Sequence, residues 1–322
     1  MANKNTKTAA TESYGKYDFV GKVGLFGGIS VLLVVISLGF LAVKGINYGI
    51  DFKGGTEFQV KFDKGVTIDQ VRKSVEELHL GEVGVQSFGD NDEFIIRFQG
   101  KQGANDKETN EILNQDIAQI KDIVLKTFAA NNPDIRRVDT VGPQVGAELK
   151  RNGLLAVFYC LLVILIYVGV RFDFKYAPGA VFCLFHDAVI TLAIFVLVGK
   201  EVNVPILAAI LTLIGYSLND TIVVFDRIRE TDSHYHDKGY AFIINKAIND
   251  MLHRTLITSG TVFTSALCLF LFSGGTVADI AFAICIGIFF GTYSSIYVAA
   301  PVVLLMDKIT GKKTAATPAK AV

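Results

Sequence analysis

The sequence predicts an α-helical polytopic membrane protein with six transmembrane helices and a small α+β domain between the first two. Two features indicate this fold class: several long apolar runs, and one long segment, residues 44–150, without such a run. Hydrophobic residues make up 51% of the chain, and 31 Lys and Arg balance 31 Asp and Glu. This balance lacks the basic excess of nucleic-acid-binding proteins and the acidic excess of many disordered chains. We therefore expect no nucleic-acid partner.

Six apolar runs can cross a bilayer, because a bilayer core requires about 20 apolar residues per helix. The runs are Val23–Val43, Gly153–Val170, Tyr176–Val198, Val202–Phe225, Thr255–Val277 and Ile280–Met306. The first run exceeds the roughly 7 to 15 apolar residues of a signal peptide, and no clear A-x-A cleavage site follows it. We therefore expect an uncleaved first span at 21–43 and five further spans within 151–306.

The positions of Lys and Arg predict the orientation. They are concentrated before the first run, between runs two and three, between runs four and five, and after run six. The short connections on the other side contain only Lys200. By the positive-inside rule both termini are cytoplasmic. The predicted organisation is an N-terminal tail at 1–20, an external domain at 44–150, a cytoplasmic loop at 227–253 and a C-terminal tail at 307–322.

The external segment alternates strand and helix patterns. A T-x-x-Q capping box at Thr67 and Gln70 begins one predicted helix, and Lys107–Phe128 has the apolar spacing of a second. Strands are predicted at Thr56–Phe62, Gly84–Phe88, Glu93–Gln99 and Asp134–Val141. The order βαββαβ is that of a ferredoxin-like domain. It contains no recognisable catalytic cluster, metal-ligand spacing or phosphate loop, so we interpret it as a binding or moving part.

Charged residues interrupt the predicted spans. Asp187 lies in the third, Asp220 in the fourth, and Arg254 begins the fifth. A charge at the bilayer centre costs at least about 2.5 to 3.5 kcal/mol on insertion scales, so such residues are expected to be functional or paired. Helical phase places Ser217, Asp220 and Arg227 on one face of the fourth span. A polar stripe follows the fifth span, formed by Arg254, Thr258, Thr261 and Ser265.

A polar stripe must face protein or water, and we expect it to face Asp220, with Asp187 nearby. Two interpretations remain open at this point. The carboxylates and Arg254 could form a proton relay, because movement of a neighbouring arginine changes the proton affinity of a carboxylate. Alternatively, an Asp–Arg pair could only lock two helices together. His186 is either a relay member or a packed neutral histidine.

Five motifs resemble the SecF family of bacterial protein-export membrane proteins, which belongs to the resistance–nodulation–division superfamily. In order along the chain they are NYGIDFKGGTEF (Asn47–Phe58), VGPQVGAELK (Val141–Lys150), FHDAVITL (Phe185–Leu192), GYSLNDTIVVFDRIRE (Gly215–Glu230) and HRTLITSGTVF (His253–Phe263). The resemblance extends from the first span to the sixth. It implies one six-span half of a transporter of this superfamily, with the ferredoxin-like domain in the periplasm.

The resemblance also implies roles for residues. Asp220 and Arg254 match proton-pathway positions, and Asp187 matches a polar position that we place in the same pathway. Together with the helical phase, the resemblance suggests supporting polar residues at Asn219, Asp226, Ser217, Thr258 and Thr261. It implies a structural junction between the first span and the external domain, formed by Gly49, Asp51, Gly54, Gly55, Gly142, Pro143 and Gly146.

A non-enzymatic function in protein translocation follows from the resemblance. The chain would work in the bacterial inner membrane with SecD, the SecYEG channel, accessory membrane-protein insertion factors and unfolded exported polypeptides. It would use the proton gradient without a metal or other cofactor, although Asp220 and Asn219 leave sodium open as the coupling ion. The alternative is a subunit of a small-molecule or lipid efflux transporter of the same superfamily.

Overall fold

The computed structural model describes residues 15–310, except 64, 79–82, 89–91, 100–105 and 236. Most of the two predicted tails therefore lies outside the described residues. Between the tails the chain forms a set of long helices and one four-stranded sheet.

Six helices of the described chain are long and apolar enough to span a membrane, which confirms the predicted number. They are α1 (Val23–Lys44, extended by a turn from Val20), α5 (Pro143–Arg171), α6 (Ala177–Leu197), α7 (Val204–His234), α8 (Tyr240–Phe272), and α9 (Gly275–Ser294), which continues through a π-helical turn (Ser295–Ala299) into α10 (Ala300–Thr310). In α6, 61% of the apolar stretch is buried inside the protein, whereas in α1 only 11% of the apolar stretch is buried. Helix α6 is therefore central, and α1 is peripheral.

Several of these helices extend well beyond the apolar runs. At about 1.5 Å per residue, the 31 residues of α7 reach roughly 47 Å, against a hydrocarbon core of about 30 Å. Helix α7 continues to His234 and α8 begins at Tyr240, so the predicted loop at 227–253 is mostly helical. The sequence prediction ended these helices where apolar residues ended, but their polar turns continue outside the bilayer core.

The start of α8 packs into the protein. Ile243, Ile244 and Ala247 are buried and belong to the main apolar core of the helices. The sequence predicts that this segment belongs to a cytoplasmic loop. Instead, the apolar face of this helix packs against the other helices. The apolar core of the membrane helices therefore extends to the region where α7 ends and α8 begins.

The α+β domain has the predicted βαββαβ order. Its elements are β1 (Gly55–Lys61), α3 (Ile68–Glu76), β2 (Val83–Ser87), β3 (Glu93–Phe98), α4 (Asp106–Thr127) and β4 (Asp134–Val141). The sheet order is β2-β3-β1-β4, and all pairs are antiparallel. A short helix, α2 (Ile50–Lys53), precedes β1. The predicted ferredoxin-like arrangement is confirmed.

One face of this sheet is covered by α3 and α4. Phe58, Val60 and Ile96 of the sheet are fully buried against Val71 of α3 and Ile120 of α4. Each such side chain contributes about 1.5 to 3 kcal/mol on burial from water. The predicted capping box is present, and the Thr67 backbone N–H donates to the Gln70 side chain at 2.9 Å. The domain thus has an apolar core of its own.

Candidate functional site

Asp187 is the centre of a buried polar cluster that joins three helices. Its side chain accepts hydrogen bonds from Ser217 of α7 at 2.5 Å and from Ser294 of α9 at 2.8 Å. The Nδ1 atom of His186 lies 2.8 Å from its other carboxylate oxygen. All of these side chains are buried, and Cys183 completes the cluster beside Ser294. A carboxylate with three partners is held firmly in place.

Two glycines in α9 allow this cluster to form. A Cβ atom added to Gly287 would lie 2.1 Å from a methyl carbon of Leu213, and one added to Gly291 would lie 3.3 Å from Cβ of Ser217. Small residues let membrane helices approach closely, and here they bring α9 against α7. In contrast, Gly24 and Gly28 of α1 have open space around them.

Asp220 lies one helical turn beyond Ser217, and it faces a different neighbour. It is 3% exposed, and one oxygen of its carboxylate accepts a hydrogen bond from Ser259 of α8 at 2.9 Å. Helix α7 is therefore bonded to two neighbouring helices. Its Ser217 contacts Asp187 of α6, and its Asp220 contacts Ser259 of α8. The two acidic residues are thus linked through one turn of α7, from Ser217 to Asp220.

The prediction that the polar stripe of α8 faces Asp220 is wrong. Arg254, Thr258, Thr261 and Ser265 are exposed on the surface of the chain. The hydroxyls of the last three donate to backbone carbonyls of their own helix, one turn back. The buried face of α8 instead contains Thr255, Ser259 and Ala266. Helical spacing alone allows either the exposed stripe or the face with Thr255 and Ser259 to point inward. The sequence prediction favoured the stripe because it contains more polar residues.

Arg254 lies beside Asp220 without a direct bond. The described residues show no hydrogen bond or ion pair between them, although Arg254 acts on the Asp220 carboxylate through space. Arg254 lines a polar cleft of about 340 Å³ together with Asp226, Arg227 and Glu230. This cleft lies at the end of the membrane helices opposite the α+β domain.

Arg227 pairs with a residue that the sequence interpretation missed. Its guanidinium donates to Asp250 of α8 at 2.6 Å and to Glu230 at 2.8 Å. Arg227 shares a helical face with Asp220, but it contacts α8 at Asp250, whereas Asp220 contacts α8 at Ser259. The predicted supporting residues Asn219 and Asp226 are exposed. Asn219 is thus exposed where its neighbour Asp220 is buried, and among the described residues no group of three or more acidic, His or Cys residues could hold a metal.

The predicted junction residues meet where the α+β domain joins the helices. The Gly49 N–H donates to the Val202 carbonyl at 2.8 Å, and an Asp51 carboxylate oxygen accepts from the N–H of Val204, the first residue of α7, at 2.9 Å. Gly54 has φ of 76°, and a Cβ atom there would lie 2.8 Å from Pro143. Only glycine adopts this conformation with so close a neighbour.

The α5 side of the junction is equally tight. A Cβ atom on Gly146 would lie 2.9 Å from the Gly54 nitrogen, whereas Gly142, which caps α5, has open space. Gly55, with φ of 134°, would meet the Phe98 carbonyl at 2.8 Å. The backbone of the segment before β1 is therefore clamped against the start of α5.

Two family models match the sequence, and each contains one part of this junction. The "SecD/SecF GG Motif" matches residues 39–66, and "Protein export membrane protein SecD/SecF, C-terminal" matches residues 120–309. A relative from Magnetococcus marinus, "Protein translocase subunit SecF", is 43% identical over 304 residues, which cover 94% of this chain and 96% of the relative. The chain belongs to the SecF family.

Solved SecDF structures share the fold of this SecF-family chain. The crystal structure of SecDF from Thermus thermophilus, a translocon-associated membrane protein, superposes with a TM-score of 0.79 at 33% identity and covers 91% of this chain. A super-membrane-facing form of SecDF gives a TM-score of 0.66 at 32% identity. In both cases the SecF-family chain spans 39% of the matched chain's length.

The α+β domain of this SecF-family chain rests on the ends of its membrane helices. Arg97 of β3 donates to Glu57 at 2.6 Å and forms an ion pair with Glu201, just before α7, at 2.8 Å. Lys200 pairs with Asp279 in the same region. Burial raises the pKa of Glu201 above its usual range, against the opposing effect of Arg97. The domain is thus held to the helices by the ion pair of Arg97 with Glu201 as well as by the junction.

Proposed function

We propose that this chain uses the proton gradient, together with SecD, to assist protein translocation through SecYEG. Its membership of the SecF family and its likeness to SecDF give it a SecDF-type role in protein translocation. The observation that carries the proton-driven part is the burial of Asp220 inside a membrane span, with Ser259 as its one hydrogen-bond partner among the described residues.

Proton binding at Asp220 supplies the energy in this proposal. When the carboxylate is charged, Ser259 and Arg254 stabilise it; when it is protonated, the attraction to Arg254 is lost. One proton crossing the membrane yields about 2.3 kcal/mol per 100 mV. That changes a two-state helix equilibrium by a factor of roughly 50. Asp187, tied to the same helix through Ser217, is the second carboxylate of this pathway.

The exposed polar stripe of α8 supports SecD as the covering partner. Polar side chains on a membrane helix must face protein or water, and the stripe faces neither within this chain. Transporters of this kind are built from two related halves, and this chain holds one. SecD would cover Thr258 and Thr261 and bring its own polar groups towards Arg254. Asn219 and Asp226, also exposed, would lie near the same interface.

The proposed setting is the bacterial inner membrane, with both termini cytoplasmic and the α+β domain in the periplasm. The distribution of Lys and Arg supports this orientation. In that position the domain could act on unfolded polypeptides leaving SecYEG, and accessory insertion factors would join the same assembly. No metal or organic cofactor is required. An efflux function is not favoured, because the curated relatives that match nearly the whole chain are SecF subunits.

The test is gradient-driven export of a secreted protein in inverted vesicles that contain the chain and SecD. Asp220→Asn keeps the size of the side chain and removes the exchangeable proton, so we expect export to fall to the level seen without a gradient. Asp237→Asn, an exposed carboxylate between α7 and α8, is the matched control and should export normally. Imposing proton and sodium gradients separately identifies the coupling ion. If Asp220→Asn exports normally, Asp220 does not couple the gradient to export, and its role is only to hold helices together.

A further inference from the structure

A narrow apolar groove runs along the membrane surface of the helices, between α5, α6 and α7. Its volume is about 330 Å³, and its lining is almost entirely hydrocarbon. The floor is buried and includes Phe52, Ile210 and Ile214, whereas Phe158 and Phe185 at the edges are 59% and 42% exposed. The groove therefore opens sideways, towards lipid.

The dimensions of the groove fit one hydrocarbon chain. Along α5 it extends from Lys150 to Leu161, which is eleven residues or roughly 16 Å at 1.5 Å per residue. One leaflet of a hydrocarbon core is about 15 Å thick. Over this length the groove is lined by apolar side chains of α5, α6 and α7, which suits a hydrocarbon chain that lies along it.

A single cation lies at the end of the groove next to the α+β domain. Lys150 is the one charged residue among the described lining residues, and its ammonium lies 4.2 Å from the ring centre of Tyr48. Lys150 is exposed and takes part in no ion pair among the described residues. Lysine and tyrosine at this depth are typical of the boundary between hydrocarbon and headgroups.

We propose that the groove binds one acyl chain of an anionic phospholipid from the leaflet next to the α+β domain, with Lys150 on its phosphate. The apolar floor excludes water, so in a bilayer the groove is filled by hydrocarbon. The ammonium then selects the charge of the headgroup. Gly153 lies in the lining where α5 approaches α7, and a Cβ atom there would lie 2.6 Å from a methyl carbon of Leu207.

The first experiment tests headgroup selection. The full chain, co-purified with SecD, is delipidated, incubated with vesicles of equal phosphatidylglycerol and phosphatidylethanolamine, and analysed by native mass spectrometry. We expect wild type to retain one phosphatidylglycerol preferentially. Lys150→Gln should lower the retained phosphatidylglycerol-to-phosphatidylethanolamine ratio about fivefold, the size of one lysine's attraction to an anionic surface. Arg151→Gln, an adjacent exposed cation outside the groove, should keep the wild-type ratio.

The second experiment fills the groove. Ala188→Phe and Val157→Phe both place an aromatic ring in it, and each should reduce the count of retained lipid molecules by one. Leu155→Phe, on the exposed surface of α5 outside the groove, is the control and should retain the lipid. An unchanged headgroup ratio in Lys150→Gln would overturn the proposal. It would also fail if the filled variants kept the lipid, or if they lost SecD with the lipid count unchanged, since a protein segment would then occupy the groove.

Discussion

Asp220 and Asp187 differ in the number of their close partners, and this difference bears on the proposed proton exchange. Among the described residues, Asp187 has several close partners, whereas Asp220 has one hydroxyl partner and no direct bond to the Arg254 guanidinium. A carboxylate with few fixed partners changes its protonation with little rearrangement, whereas a fully bonded one resists change. The sequence predicted both acidic residues but not Ser259, because helical phase alone does not decide which of two polar faces is buried.

Ser259→Ala removes the one hydrogen bond to Asp220 found among the described residues. A hydrogen bond to a charged group contributes about 1.5 to 3 kcal/mol, so we expect gradient-driven export to fall at least several-fold while ATP-driven export continues. Thr264→Ala is the matched control, since that hydroxyl donates to the Gly260 carbonyl of its own helix and is exposed. Equal export by Ser259→Ala and wild type in the vesicle assay would show that this hydroxyl plays no part in coupling.

The helices are held together by close contacts that apolar periodicity does not reveal. The number of spans follows from hydrophobic length, and the βαββαβ order follows from alternation and one capping box. The contact of α9 with α7 depends on where two glycines meet Leu213 and Ser217. The sequence contains equally spaced glycines in α1, which face open space. Only the packing of the folded helices distinguishes the two pairs.

Gly287→Ala should destabilise the membrane part, because the added Cβ atom would overlap Leu213. Overpacking of this kind costs about 1 to 3 kcal/mol. Gly28→Ala in α1 adds the same atom where nothing lies within 4 Å, so it should not lower stability. Thermal unfolding of the detergent-solubilised complex compares the two variants. Equal unfolding temperatures would show that α9 and α7 are further apart than described.

At the scale of the whole molecule, the α+β domain and the helices form one connected structure. The family resemblance implied a junction between the first span and the domain, and in the structure Gly54 and Gly146 both lie very close to neighbouring backbone atoms. The ion pair of Arg97 with Glu201 was outside the reach of sequence reasoning, because the two residues are far apart in the chain and neither lies in a quoted motif. Ion pairs between the domain and the helices form only when the folded domain is oriented against the helix ends, and that orientation is not encoded in a local sequence pattern.

The Glu201 contact predicts a pH dependence. Because burial raises the pKa of Glu201, the folded structure favours its protonated form. The contribution of this residue to stability therefore increases as the pH falls from neutral through the raised pKa, towards the ordinary value of 4.5. Glu201→Gln should remove this part of the pH dependence in thermal unfolding, whereas the exposed Glu76→Gln should retain it. Identical pH profiles for wild type and Glu201→Gln would contradict the assignment.

The bond from the Val204 N–H to the Asp51 carboxylate has a mechanical consequence. Helix α7 starts at this bond and carries Asp220 sixteen residues further on, about 24 Å along a continuous rod. If the rod pivots near Asp220, a tilt of about 5° displaces its domain end by roughly 2 Å. No flexible linker intervenes there to absorb that displacement, since Glu201 and Asp51 both hold the domain within a few residues of the rod's end. In the proposed mechanism, the helix that carries the acidic residue would thus also act as a lever arm for the domain.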